Sequence, residues 1–166
     1  MKGVVFPGNR KLEIVEFPDP RPGPGEVVLE IKASGMCGSD LKFYRASGGA
    51  SSLGLGNLSG PVIAGHEPCG VVAAVGAGVP ERQARVGMRV MQHHYRGCGV
   101  CRHCATGWMQ LCVEGVAEVY GVTGHGAHAP FSCAHLSSPI KCSCRRQDSC
   151  AHPRHRCSHR SAKSQA

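Results

Sequence analysis

Residues 97–112 read GCGVCRHCATGWMQLC and hold four cysteines, Cys98, Cys101, Cys104 and Cys112, at the spacing C-x2-C-x2-C-x7-C. A C-x2-C turn brings two sulfurs to one point, and a tetrahedral zinc site takes four sulfurs at about 2.3 Å from the metal. Four thiolates leave no coordination position open, so such a site staples a loop and does no chemistry itself. Bacterial ferredoxins also begin C-x2-C-x2-C, but three residues and Cys-Pro follow. Here seven residues intervene and Val113 comes next. Structural zinc is therefore preferred over an iron–sulfur cluster or a thiol redox pair.

The rest of the chain bounds that reading. Its 166 residues suffice for one ordinary domain with a hydrophobic core, not for two large ones. No secretory leader and no membrane-spanning apolar run is evident, so a cytoplasmic protein without a membrane partner is expected. In a reducing compartment the eleven cysteines are better read as metal ligands than as disulfides. The net charge of +8 is uneven: residues 1–131 carry 12 Lys/Arg against 10 Asp/Glu, residues 132–166 carry 7 against 1. The body thus lacks the basic, aromatic-interleaved surface that phosphate-backbone binding needs, and no nucleic-acid partner is expected.

Short β-type runs punctuated by Gly and Pro fill residues 2 to about 122: KGVVF, LEIVEF, EVVLEIKAS, PVIAG, CGVVAAVG and MRVMQHH. They predict a mainly β fold, a compact barrel or sandwich. The prolines of PDPRPGPGE, residues 18–26, make that segment a loop. GSDLKFYR after Cys37 is the candidate helix, and residues 45–60 form a flexible Gly/Ser loop. At Phe131 the texture changes: all 23 glycines precede it, and residues 132–166 are rich in Ser, Cys, Arg and His. Such a tail is expected to be disordered, with Cys142, Cys144, Cys150, His152, His155, Cys157 and His159 in no recognised zinc spacing. It reads as an out-of-frame or alternatively spliced segment, with a native tail as the rival.

A second, different set of metal ligands lies in GMCGSD, residues 35–40, and GHEPCG, residues 65–70. Cys37, His66 and Glu67 are a mixed S/N/O set, as a catalytic zinc needs if one position is to take water or substrate. Asp40 is placed to fix the tautomer of His66, and Ser39 to pass on a hydroxyl proton. Cys69, on a strand-like run, is read as core.

Taken together, GMCGSDLKFYR, GHEPCGVVAAVGAGV, VGMRVMQHHYRGCGVCRHCATGWMQLC and YGVTGHGAHAPF resemble, in order and spacing, the zinc-dependent medium-chain alcohol dehydrogenases. The resemblance covers about residues 1–131, the GroES-like catalytic domain of that family. It implies a catalytic zinc on Cys37 and His66 with Glu67 adjacent, and a structural zinc on Cys98, Cys101, Cys104 and Cys112. It also implies a small-molecule alcohol, polyol or carbonyl substrate, hydride exchange with NAD or NADP, and homo-oligomers. Lys42 stands where many relatives have a proton-relay His, and Met88 replaces the Asp of a G-D-R-V turn. Relatives are about twice as long because a nucleotide-binding domain follows. Neither GAGVPE, residues 76–81, nor GLGNLSG, residues 54–60, fits the phosphate-binding G-x-G-x-x-G turn. No cofactor-binding residues are therefore assigned, and the chain alone is expected to be inactive. The alternative is a non-catalytic zinc-binding fragment.

Overall fold

A computed structural model describes residues 1–50, 52, 60–137 and 139–141. The strands and α-helices in chain order are β1 (Lys2–Gly8), β2 (Lys11–Glu16), β3 (Glu26–Gly35), α1 (Gly38–Arg45), β4 (Glu67–Val75), β5 (Arg89–Gln92), β6 (Tyr95–Arg96), α2 (Arg102–Ala105), β7 (Glu118–Val119), β8 (Phe131–His135) and β9 (Pro139–Lys141), with a 3-10 turn at Met109–Leu111. The fold is mainly β, as expected, and α1 covers the GSDLKFYR segment.

β1 and β2 make a hairpin, closed by Asn9 and Arg10 at φ 52° and 59°. Two successive left-handed residues are the geometry of a two-residue turn whose twist suits the strands. An arginine there is unusual, and the turn is tied down: Asn9 N donates to Ala46 O and Arg10 N to Tyr44 O, at the end of α1. The hairpin is thereby fixed to the helix that follows Cys37.

The main sheet runs β8-β3-β4-β5-β9, antiparallel throughout. Alternation along β3 sends Val27 and Leu29 inward, where they meet Val72, Ala84, Val90 and Ala134. Met88, in place of a turn aspartate, packs against this cluster, so an apolar side chain is accommodated there. GAGVPE is followed by turns and not by a helix. PVIAG is not a strand of the sheet, yet Ala64 N donates to Val4 O at 2.8 Å.

One boundary differs from the sequence reading. The fold does not stop at Phe131: β8 pairs with β3 from Glu30↔Phe131 to Glu26↔His135, and β9 pairs with β5. Ser132 and Ala134 point into the core at 2% and 1% exposure. Small residues at alternate positions serve a buried strand as well as large ones where the facing β3 is bulky, so composition concealed the period of two. Expectations for residues 53–59 and 142–166 lie outside the described residues.

Candidate metal centres

The four cysteines of residues 97–112 form one cage. Their sulfurs all lie within 4.8 Å of one another, and Cys98 Sγ is 4.0 Å from Cys104 Sγ. A tetrahedral zinc thiolate site puts its sulfurs about 3.8 Å apart, whereas a disulfide needs about 2.05 Å. The four thiols are free, and the spacing fits a zinc ion. Main-chain groups turn toward the sulfurs: Cys98 N donates to Cys112 Sγ at 3.3 Å, Cys101 N to Cys98 Sγ at 3.3 Å and Cys104 N to Cys101 Sγ at 3.5 Å. Gly97 closes the cage from below, since a Cβ there would stand 2.5 Å from Cys104 Sγ.

Electrostatics agree. The Cys104 and Val113 amides hold the Cys101 thiol down at about 6, and those of Val100 and Cys101 lower Cys98. Burial pushes Cys104 up to about 12. Four sulfurs this close cannot all ionise without a cation, and a dication would supply the missing charge. Residues 97–117 leave the body as a loop whose ends are joined: β6 pairs with β7, Ala117 N donates to Arg96 O and Tyr120 N to His94 O. Arg96 lies 3.9 Å from Glu26 and 3.6 Å from Glu118, binding the base of the loop to the sheet.

The mixed set also converges. Ligand atoms of Cys37, His66 and Glu67 lie within 4.8 Å of one another. Cys37 caps α1: its N–H donates to Asp40 Oδ2 at 2.8 Å, and Asp40 N donates to Cys37 O at 3.2 Å. This reciprocal arrangement brings a carboxylate, only 1% exposed, beneath the site. Asp40 Oδ1 is 3.2 Å from His66 Nδ1. The pair is at ion-pair distance but off the hydrogen-bond line, and neither atom has another hydrogen-bond partner among the described residues. Ser39 Oγ donates to Cys37 Sγ at 3.2 Å and lies 3.1 Å from His66 Nε2. The Ser39 hydroxyl and backbone amide, then His66, lower the Cys37 thiol toward the thiolate that binds metal. Glu67 opens β4 opposite Gly35, where a Cβ would come 2.3 Å from Glu67 Oε2.

Sequence reading missed two features of this centre. His66 is held by a glycine junction: a Cβ on Gly126 would lie 2.1 Å from Gly65 O, and one on Gly121 2.7 Å from it. The loop carrying them donates Gly126 N to Ile63 O, Ala127 N to Gly65 O and His128 N to Ala64 O. Spacing within GVTGHGAHA carries no sign of which backbone it will touch. The second feature is the ring group of His93, His94 and Tyr95, just past β5, with His94 5.3 Å from His66 between centroids. Burial, then His66 and His93, bring His94 down to about 4, so it is neutral near pH 7. Two adjacent histidines at a strand end were the available signal. Cys69 is a half-buried residue of β4. A cavity of about 390 Å³ lined by Phe17, Glu26, Ile63, Tyr120 and Ser132 shares no lining residue with either centre.

No helix among the described residues is long and apolar enough to cross a membrane. Comparison with known proteins matches residues 23–143 to the alcohol dehydrogenase GroES-like domain. The chain is 35% identical over 135 residues to the zinc-type alcohol dehydrogenase-like protein YphC of Escherichia coli K12, covering 79% of this chain and 37% of that protein. Among solved structures it resembles the E. coli CFT073 alcohol dehydrogenase rspB with NADH (33% identity, TM-score 0.67, 85% of this chain and 38% of that one). It likewise resembles a cobalt- and zinc-bound thermostable alcohol dehydrogenase of Pyrobaculum aerophilum (32%, TM-score 0.68, 85% and 41%). The chain thus spans about two fifths of the length of these proteins. The matched residues include both cysteine-bearing centres and run through β8 and β9, and the chain belongs to the alcohol dehydrogenase GroES-like domain family.

Proposed function

We propose that this chain is the metal-bearing part of a zinc-dependent alcohol dehydrogenase, which interconverts a small alcohol with its aldehyde or ketone and exchanges hydride with NAD or NADP. The observation that carries the reading is the meeting of Cys37, His66 and Glu67 within 4.8 Å, with Ser39 Oγ touching two of them. Cys37 and His66 would hold the catalytic zinc, with Glu67 as a third or adjacent ligand. Cys98, Cys101, Cys104 and Cys112 would hold the structural one. The catalytic metal, when bound, polarises the oxygen of the alcohol or carbonyl. The residues do the rest: Asp40 orients His66, and Ser39 relays the hydroxyl proton, accepting it from the reacting oxygen as it releases its own toward solvent. The rspB relative with NADH and the cobalt- and zinc-bound relative support the cofactor and metal assignments. The clustered free thiols suit a reducing cytoplasm, and the assembly is read as a homo-oligomer by analogy with the family.

Metal analysis tests the reading. The purified chain should carry two zinc equivalents, one in an all-sulfur and one in a mixed environment by X-ray absorption. Cys37→Ser should remove the mixed one alone. A single zinc indifferent to Cys37→Ser would refute a catalytic centre here.

A further inference from the structure

The ring of His128 lies flat on the backbone that leads into His66: a Cβ on Gly65 would stand 2.6, 2.8 and 2.9 Å from its Nδ1, Cγ and Cε1. The main chain of His128 is fixed on both sides, its N–H donating to Ala64 O and its carbonyl accepting from Val4 N, each at 2.9 Å. Phe6 meets the ring edge-on, at 6.2 Å between centroids and 73° between planes. Nε2 of this ring is buried, and among the described residues it has no hydrogen-bond partner. Two further buried atoms share that condition, Asp40 Oδ1 and His66 Nδ1, which face each other at 3.2 Å off the hydrogen-bond line. Native folds pair nearly all such atoms, because leaving one unpaired costs its full desolvation. Burial keeps His128 neutral near pH 7, and the charge that acts on it most is Asp40. A neutral imidazole has one N–H to donate, and a carboxylate oxygen can accept from two donors.

We propose that His128 positions His66 through Asp40: its Nε2–H donates to Asp40 Oδ1, the oxygen that also faces His66 Nδ1, so that one buried carboxylate orients two imidazoles. Asp40 Oδ2 is taken by Cys37 N at 2.8 Å, which leaves Oδ1 to serve both rings. A second donor on Oδ1 fixes the direction of the carboxylate. His66 Nδ1 is then held as a donor, and its Nε2 is left to bind a metal. The inference rests on the proposed reading of Cys37, His66 and Glu67 as a metal centre.

The test uses the full chain loaded with cobalt(II) in place of zinc, whose visible spectrum separates a mixed-ligand site from an all-sulfur one. Competition with a chelator, followed at the mixed-site bands, gives the affinity of that centre. His128→Phe keeps a flat ring and removes the donor, and should weaken cobalt there about three- to tenfold, the range of one net hydrogen bond. His128→Gln, whose amide N–H stands in for Nε2–H, should recover most of the loss. In Asp40→Asn the single oxygen stays with Cys37 N and the amide nitrogen faces the histidines, so nothing accepts from His128. Adding His128→Phe to Asp40→Asn should therefore cost nothing further, whereas a ring that only fills space would lose as much in either background. Unchanged sulfur-to-cobalt bands of the four-cysteine cage show that each variant is folded. In the native chain, nitrogen NMR of isotope-labelled histidine should find the His128 proton on Nε2. A proton on Nδ1, an affinity unmoved by His128→Phe, a loss that adds in full to that of Asp40→Asn, or no recovery with Gln overturns the inference and leaves the metal centre standing. Absence of any mixed-ligand cobalt spectrum in the native chain overturns both.

Discussion

Replacing Gly126 by alanine should separate the mixed centre from the four-cysteine cage. The added Cβ would stand 2.1 Å from Gly65 O, 2.6 Å from Ala64 O and 2.7 Å from Gly121 Cα. Ordinary contact begins near 3.4 Å, so the two backbones must part by about 1.3 Å. All three obstacles are main chain, and no rotamer change relieves them. Parting strains Gly126 N to Ile63 O, Ala127 N to Gly65 O and His128 N to Ala64 O. Overpacking costs about 1–3 kcal/mol, and each weakened hydrogen bond adds about 1 kcal/mol at most. A loss of about 3 kcal/mol is expected, together with displacement of His66, the next residue after Gly65. The assay is urea unfolding alongside the cobalt spectrum. The midpoint should fall, the mixed-site bands should weaken or vanish, and the sulfur bands of the cage should persist. Gly60→Ala, where a Cβ meets nothing within 4 Å, is the control and should stay within about 0.5 kcal/mol. Native stability with an unaltered mixed-site spectrum in Gly126→Ala would show that the junction does not position His66.

Cys104→Ala should remove one zinc equivalent, that of the cage. It should also shift the emission of Trp108, the chain's single tryptophan, which lies in the same loop. Asp40→Asn keeps an acceptor for Cys37 N but removes the charge 3.2 Å from His66 Nδ1. Metal affinity at the mixed centre should fall about 10- to 100-fold by competition with a chelator, with the cage unaffected. The pH dependence of stability should carry a signature of Cys133. Burial and the Glu26 carboxylate at 3.4 Å push that thiol up to about 12 from 9.0, so between these values the folded state holds a proton the unfolded chain has released. Stability should therefore decline as pH rises from about 9 to 12. Cys133→Ala should flatten that decline in melting temperature, and an unchanged slope would remove the assignment.

Much of this architecture is legible in the residues because local chemistry and global fold agree. GSDLKFYR follows a cysteine and carries Asp40 at the position that can cap it, and the helix forms there. The C-x2-C-x2-C-x7-C spacing is set by how turns aim sulfurs, so the cage follows from sequence distance alone. What was not legible is long-range. β8 was hidden because its inward residues are Ser132 and Ala134, whose fitness for a strand depends on Val27, Leu29 and their register on β3. The glycine junction was hidden because a glycine's requirement is written in the atoms it approaches, here Gly65 O, some sixty positions away in the chain.

Five residues, 93–97, lie between the end of β5 and the first cysteine of the cage. β5 ends at Gln92, the His94 ring lies 5.3 Å from that of His66, β6 anchors to β7, and Cys98 begins the cage. A loop of this size, held at its base by a two-residue ladder, flanking hydrogen bonds and the ion pairs of Arg96 with Glu26 and Glu118, keeps freedom of its own because loop closure costs entropy. A metal in the cage removes that freedom at the end nearest His94. A metal held in the cage would therefore act on the mixed centre without touching it: it would hold the exit of β5 so that the His94 ring stays against His66. On this argument Cys104→Ala should loosen hydrogen exchange not only across residues 97–117 but also at Tyr120 N, the donor to His94 O. The glycine junction should stay protected, since its bonds run to residues 63–65 and bypass the loop.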